Sequence, residues 1–153
     1  MKKYEIGFVA GAFDVIHPGY IKLFRDAKAH CELLIVLIHA DPSIQRPQKL
    51  APILSVEERA DILLELESVD GVSVYHTEED FKQWIYLHPE YVRFLGDDYV
   101  NADYTGKDLP NPIIFVDRSH KWSTTAYKKA IHHQVEVKVL QEMLHRNAET
   151  KPA

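Results

Sequence analysis

A turn of small and polar residues, set between an apolar run and an amphipathic one, constrains this chain more than any other feature. Ile6-Gly7-Phe8-Val9-Ala10 has the continuous apolar character of a buried strand. Gly11-Ala12-Phe13-Asp14-Val15-Ile16-His17-Pro18-Gly19 follows. Then comes Tyr20-Ile21-Lys22-Leu23-Phe24-Arg25-Asp26-Ala27-Lys28, with apolar residues at helical spacing. Pro18 suits the first helical position, where its missing N–H is one that the helix does not use. The chain therefore passes from strand to helix through a glycine turn that carries an Asp and a His. Unpaired N–H groups and the positive end of the helix dipole favour an anion at such a junction. A His placed there points to chemistry at phosphorus.

Strand-like and helix-like segments alternate along the rest of the chain, the pattern of a parallel α/β sheet. The first strand is expected over residues 4–10 and the first helix over about 18–29. Leu33-Leu34-Ile35-Val36-Leu37-Ile38 is apolar throughout, as a strand covered on both faces must be. Pro42, Pro47 and Pro52 keep the next stretch out of regular structure. Ser55-Val56-Glu57-Glu58 has the form of a capping box and opens a helix expected to reach about Ser68. Val72–Tyr75 reads as a short strand, and Thr77-Glu78-Glu79-Asp80 begins a helix toward Leu87. Tyr91–Leu95 is a strand ending at Gly96, and Pro112–Val116 is the last strand. A helix is expected from about Thr124, with a less regular amphipathic one over 135–147.

No repeat, low-complexity tract or boundary interrupts residues 1–147, so one domain is expected there, with 148–153 as a flexible tail. The architecture expected is a doubly wound parallel α/β sheet. In such a sheet ligands bind beyond the carboxyl ends of the strands, where the strand order reverses. Gly11–His17 follows the first strand, His39–Asp41 the second, Gly96–Asp98 the fourth and Asp117–Ser123 the last. The residues able to do chemistry thus converge on one edge.

Composition narrows what such a site serves. The 153 residues, 46% apolar and 27% charged, suffice for one soluble domain with a real core. A net charge of −5 argues against a nucleic-acid partner. Cys31 is the only cysteine, which excludes an internal disulfide and fits a reducing compartment. It reads as a small buried residue rather than a nucleophile. No apolar run approaches a membrane span, and the segment after Met1-Lys2-Lys3 is too short for a signal peptide. A cytoplasmic protein without membrane or nucleic-acid partners is expected. His30, His76, His88, His132, His133 and His145 form no metal-ligand pattern, whereas His39 stands at a strand end near the cleft.

Two separated stretches make the chain resemble a known family. The turn Gly11–Gly19 and the segment Arg118-Ser119-His120-Lys121-Trp122-Ser123-Thr124-Thr125 are similar to motifs of the cytidylyltransferase-like nucleotidyltransferases. Between them Phe94-Leu95-Gly96-Asp97-Asp98-Tyr99 adds a third likeness. The resemblance covers roughly residues 4–131 and is nearest to the glycerol-3-phosphate cytidylyltransferases. It implies a Rossmann-like nucleotidyltransferase fold, CTP as donor and a small phosphorylated alcohol or sugar as acceptor. It also implies Mg²⁺ and a homodimer, for which apolar positions around 69–87 or in the tail would serve. Two departures stand out: Tyr20 occupies the place of the family's second His, and Lys121-Trp122 the place of a frequent Gly-Ile. Adenylyltransferases of the same fold are the neighbouring alternative. A nucleotide-binding protein with weakened catalysis is another, motivated by Tyr20.

Transfer of a nucleotidyl group needs no covalent nucleophile. It needs alignment and stabilisation of charge growing on phosphate oxygens, with Mg²⁺ taking part of that load. His17 is expected to donate to a phosphate oxygen, and an anion favours its charged form. Tyr20, one turn on, faces the same side. Its neutral hydroxyl cannot match an imidazolium, so it either serves the site or packs. Asp14 either ties down the turn or sits near Mg²⁺, which is otherwise left to the nucleotide phosphates. Gly11 and Gly19, with Ala12 and Phe13 in the same turn, are expected to bring backbone N–H groups near phosphate. Lys22 is the candidate cation of the first helix. Asp41, just past the second strand, contacts substrate or metal-bound water.

The remaining assignments come from the resemblance. It implies that Lys49 of the proline loop reaches the triphosphate. It implies that Arg59 faces a phosphate, the alternative being pairing within its own helix. Gly96, Asp97 and Asp98 would line the nucleotide and substrate cleft. Arg118, with the hydroxyls of Ser123, Thr124 and Thr125, would hold the β- and γ-phosphates. A cation and hydroxyls at a helix start make an anion clamp on physical grounds as well. Lys121 is expected to restore part of the charge missing at Tyr20. Trp122 either stacks on a base or packs.

Overall fold

Parallel strands need crossovers, and the helical segments between the apolar runs supply them. The computed structural model describes residues 4–150. Its elements are β1 (Tyr4–Gly11), α1 (Pro18–Lys28), β2 (Cys31–His39), α2 (Val56–Leu64), β3 (Gly71–Tyr75), α3 (Glu78–Leu87), β4 (Val92–Gly96), β5 (Ile113–Val116) and α4 (Thr124–Thr150). A short 3-10 turn at Asp97–Tyr99 follows β4. The five strands form one sheet in the order β3-β2-β1-β4-β5, every pair parallel. This is the doubly wound α/β sheet expected. The order reverses between β1 and β4, so a crevice opens beyond their carboxyl ends.

The chain divides into two compact units, residues 1–122 and 123–153. In the first, alternate residues of the central strands point to opposite faces. Val9, Leu34, Val36, Ile38, Val92, Phe94 and Val116 pack with Phe24 and Ala27 of α1 and Leu63 of α2. Phe8, Leu37 and Tyr75 pack with Phe81 and Ile85 of α3 on the other face. Both faces are covered, which is why β1 and β2 read as unbroken apolar runs rather than as alternating ones. Cys31 is fully buried, its thiol 3.5 Å from the Ala27 carbonyl oxygen. Among the described residues no helix is long and apolar enough to cross a membrane.

Two boundaries differ from expectation. The helix after Ser55 ends at Leu64, not near Ser68. Glu65 and Leu66 donate to the carbonyls of Ile62 and Leu63, tightening the chain into turns that seat Leu66 and Val69 on the core. In the second unit one helix replaces the two expected, running from Thr124 through Thr150. No Gly or Pro occurs in that span to stop it. The tail residues 151–153 and the basic start Met1-Lys2-Lys3 lie outside the described residues.

One glycine is set by packing rather than by a turn. A Cβ on Gly7 would lie 2.4 Å from Phe94 Cε2 and 3.0 Å from Val92 Cγ1, because the Phe94 ring lies across β1. Gly7→Ala is expected to lower stability by about 1–3 kcal/mol through overpacking. Urea unfolding measures it, and an unchanged midpoint would remove this account.

Candidate functional site

The strand–turn–helix junction is pinned from beneath by a buried ion. Arg59 of α2 is 2% exposed, and its guanidinium meets backbone carbonyls. Nη1 donates to Ala12 O and His39 O at 2.9 Å each, and Nη2 to Ala40 O at 2.7 Å. Nε is shared between Leu54 O and Ser55 O. The planar fork therefore ties the ends of β1 and β2 to the start of α2. The phosphate contact expected of Arg59 is corrected: four of its five N–H donors are committed to backbone carbonyls and the side chain is buried. Burial lowers its pKa, opposed by the negative charges of Asp14, Asp41 and Glu57.

Asp14, 2% exposed, faces the same knot. Its two carboxylate oxygens accept the amides of Ile53 and Leu54, each at 2.8 Å. It ties the proline loop to the glycine turn, and those oxygens hold amides where a metal had been the alternative. Asp41 plays a local part: Oδ1 accepts the Ser43 amide at 2.9 Å and the Ser43 hydroxyl at 2.5 Å. Those bonds hold its carboxyl below the usual range. Lys49 is exposed on the loop that Asp14 anchors.

The two glycines of the turn are close-approach positions within the protein itself. Phe13 has φ 50°, strained for a bulky residue, and its ring turns back over Gly11 with Cζ 3.2 Å from where a Cβ would sit. The ring is buried edge-on to Tyr20 at 4.9 Å and against Phe24 at 5.4 Å. Phe13 is thus core, its backbone shaping the turn. A Cβ on Gly19 would meet Trp122 Cβ at 2.7 Å, His120 Cε1 at 2.9 Å and His17 Cε1 at 2.9 Å. The Gly19 amide is also taken, since it donates to His17 Nδ1 at 3.1 Å.

That bond settles the chemistry of His17. It caps α1 with an extended backbone and is 4% exposed. An Nδ1 that accepts an amide carries no proton, so the neutral ring presents Nε2–H. Burial lowers its pKa first, and the charges of Arg118 and His120 lower it further. Without a ligand, then, His17 is a neutral donor; the charged form was expected only beside an anion. Tyr20 stacks on it at 3.9 Å and 25°. The phenol both packs on Phe13 and orients the imidazole.

The ends of β4 and β5 join this wall. Asp97 Oδ1 accepts the Arg118 amide at 3.1 Å, and the aliphatic stem of Arg118 lies over Gly96. Arg118 Nε is buried without a hydrogen-bond partner among the described residues. Asp98 is exposed, with Oδ1 close to Gly96. Lys22 is engaged, 2.5 Å from Asp26 and 3.7 Å from Asp117. Its pKa is raised, chiefly by the bond to Asp26. Lys121 is exposed at φ 59°, a left-handed backbone that favours Gly, the residue the resemblance implied there.

In the second unit Ser123 caps α4, its hydroxyl accepting the Ala126 amide at 3.0 Å, with Thr124 and Thr125 opening the helix. Sequence reading passed over two groups in the first unit. His120 accepts the Trp122 amide at Nδ1, 2.9 Å away. Its signal was a His two residues before a chain reversal, as at His17. Glu78 is the other: it meets Arg46 at 3.2 Å, accepts the Thr105 hydroxyl and lies 3.9 Å from His39 Nδ1. No sequence pattern marked that hub, because its partners come from distant loops. His39 itself is 4% exposed and stacked on Tyr75, and burial lowers its pKa.

Among the described residues no three carboxylate, imidazole or thiol groups cluster to cage a metal ion. What remains is a wall of donors: an imidazole Nε2–H, a guanidinium and a second imidazole around one helix start. Such a wall suits phosphate oxygens.

Comparison with known proteins gives the same picture. A family model described as cytidylyltransferase-like matches residues 8–143. Bifunctional protein HldE of Hyphomonas neptunium is 38% identical over 106 residues, 69% of this chain and 22% of that protein. Its namesake in Nitrobacter winogradskyi is 33% identical over 130 residues, covering 82% and 26%. The chain thus spans about a quarter of the length of these relatives. Among solved structures, a lipopolysaccharide core biosynthesis protein from Thermoplasma volcanium superposes with a TM-score of 0.61. It is 20% identical and covers 75% of this chain and 98% of its own, a likeness of fold.

Two outcomes test the electrostatics of the site. Arg59→Met strands several buried carbonyls and is expected to lower unfolding free energy by about 3 kcal/mol or more. A loss under about 1 kcal/mol in urea would refute the staple. His17 and His39 are both lowered from 6.5. Above that value both are neutral, folded or unfolded. As pH falls below it the unfolded chain takes up protons that the folded chain refuses, so stability drops. Tm should fall between about pH 7 and 5, and His39→Gln should flatten that fall. An identical slope in the variant counts against it.

Proposed function

This chain belongs to the cytidylyltransferase-like family, and we propose that it transfers a nucleotidyl group from a nucleoside triphosphate to a small phosphorylated acceptor. The observation that carries this reading is the gathering of His17 Nε2–H and the Arg118 guanidinium beyond the carboxyl ends of β1 and β5. A phosphate oxygen of the acceptor attacks the α-phosphorus. The bond from that phosphorus to the α–β bridging oxygen breaks, and pyrophosphate leaves with the electron pair. The protein aligns the reactants and stabilises oxygen charge with fixed donors.

Within that reading each residue has a task. His17 donates to an oxygen of the transferred group, and a bound phosphate draws its pKa back up. Arg118 holds the departing phosphates. Lys49 reaches the triphosphate from the proline loop, and Gly96, Asp97 and Asp98 border the nucleotide. Mg²⁺ enters on the triphosphate, since the chain offers no cage of its own among the described residues. CTP is the donor proposed, on the family description and the Gly96-Asp97-Asp98 segment. A phosphorylated alcohol or sugar such as glycerol 3-phosphate is the acceptor. ATP is the second donor, because the relatives matched carry the name HldE rather than that of a cytidylyltransferase. A cytoplasmic homodimer completes the proposal.

Tyr20 favours one further reading, a nucleotide-binding protein with weak turnover. Its stacked phenol adds no charge where a second imidazole is usual. Pyrophosphate release measured with Mg²⁺, each of the four triphosphates and a pooled acceptor panel separates these. Release with CTP and one acceptor is expected, and His17→Ala should lower kcat by about a hundredfold or more. Release confined to ATP makes the chain an adenylyltransferase. Silence throughout, with calorimetric binding of CTP, leaves a binding protein.

A further inference from the structure

We propose that His120 is a catalytic residue, reaching from the loop after β5 to set its Nε2–H beside that of His17 on the transferred α-phosphoryl group. It supplies the second imidazole that the start of α1 lacks. The inference rests on the nucleotidyl-transfer reading above and deepens it.

Convergence is the first support. The Cε1 atoms of His17 and His120 each lie 2.9 Å from the same point, the place of a Cβ on Gly19. The two rings therefore converge on one glycine, and a side chain at Gly19 would collide with both. The second support is their matched tautomer. Each Nδ1 accepts the amide two residues on, Gly19 at 3.1 Å for His17 and Trp122 at 2.9 Å for His120. Each ring is thus left with its proton on Nε2. Two loops distant in sequence use one device to aim the same donor.

The third support is the division of labour around them. Tyr20 fills the expected position of a second imidazole with a ring that stacks on His17 at 3.9 Å and meets Phe13 at 4.9 Å. Its role is to fix the orientation of His17. Lys121, from which compensation was expected, is exposed and left-handed, its amide closing a turn onto Arg118 O at 3.1 Å. That turn carries His120 inward. Arg118 and His120 both act on His17, which sets all three groups near one another.

In the step, an acceptor phosphate oxygen bonds to the α-phosphorus. The bond to the α–β bridging oxygen breaks, and its electron pair leaves with pyrophosphate. Both imidazoles keep their protons, donating hydrogen bonds to non-bridging oxygens of the transferred group. No oxidant or further reactant is needed.

His120→Ala tests the role, and His120→Asn tests it with the loop preserved, since a short Asn side chain still accepts the amide two residues on. Both are expected to lower kcat for pyrophosphate release by about a hundredfold, with KM for the triphosphate changed less than about threefold. Tyr20→His in the His120→Ala background should recover part of the loss. Wild-type kcat in both His120 variants would overturn the proposal. A second readout does not require turnover: the Cε1–H resonances of the histidines, followed by NMR while inorganic pyrophosphate is added. Shifts at both His17 and His120 support the shared site, and movement of His17 alone overturns it. A wild-type protein silent in every assay whose two histidines both shift would sink the transferase reading yet keep the paired phosphate contact.

Discussion

The buried guanidinium of Arg59 is the interaction on which the rest of the site depends. A parallel sheet ends in exposed carbonyls at the carboxyl edge, and here those of Ala12, His39 and Ala40 turn inward rather than toward water. Left alone they would be costly to bury. One planar cation satisfies them together and fixes three segments relative to one another. Asp14 completes the arrangement from the opposite sign, holding the amides of Ile53 and Leu54. The glycine turn and the proline loop are thereby parts of one charged knot. Neither ion needs to touch a ligand to matter for binding, because the turn that presents His17 stands on them.

Above that knot two imidazoles are held by hydrogen bonds to backbone amides. Amides of Gly19 and Trp122 hold the Nδ1 atoms of His17 and His120, and aromatic stacking by Tyr20 holds the plane of one ring. Burial disfavours the charged form of His17, and Arg118 and His120 act in the same direction. Strain accompanies the arrangement: Phe13 and Lys121, both non-glycine, have positive φ at the two loops that meet over Gly19.

Much of this was readable in the chain. Unbroken apolar runs at Ile6–Ala10 and Leu33–Ile38 announced strands covered on both faces, and capping boxes announced α2 and α3. Pro18 and the Gly11–Gly19 turn announced the junction between β1 and α1. Less readable was which member of each motif faces a ligand. Arg59 carried the same charge whether aimed at phosphate or at carbonyls, and spacing along a helix does not tell the two apart. Gly11 and Gly19 were recognisable as places needing room. That the room is filled by Phe13 in one case and by Trp122, His120 and His17 in the other follows from contacts between distant segments. Helix ends slipped for a similar reason, since Leu66 was drawn into the core and Thr124–Thr150 had no breaker.

The sequence alone determined the class of fold, the order of its elements and the neighbourhood of the site. Those depend on local patterns: hydrophobic period, proline and glycine placement, and caps within a turn of the residue they serve. Only the tertiary structure decided what each polar side chain does. A guanidinium, a carboxylate or an imidazole takes its role from whichever donors and acceptors folding brings within about 3 Å, and those come from loops far apart in the chain. His120 shows the difference most plainly. Its position two residues before a chain reversal is local, but its place beside His17 exists only once β1 and β5 lie on either side of β4 in one sheet.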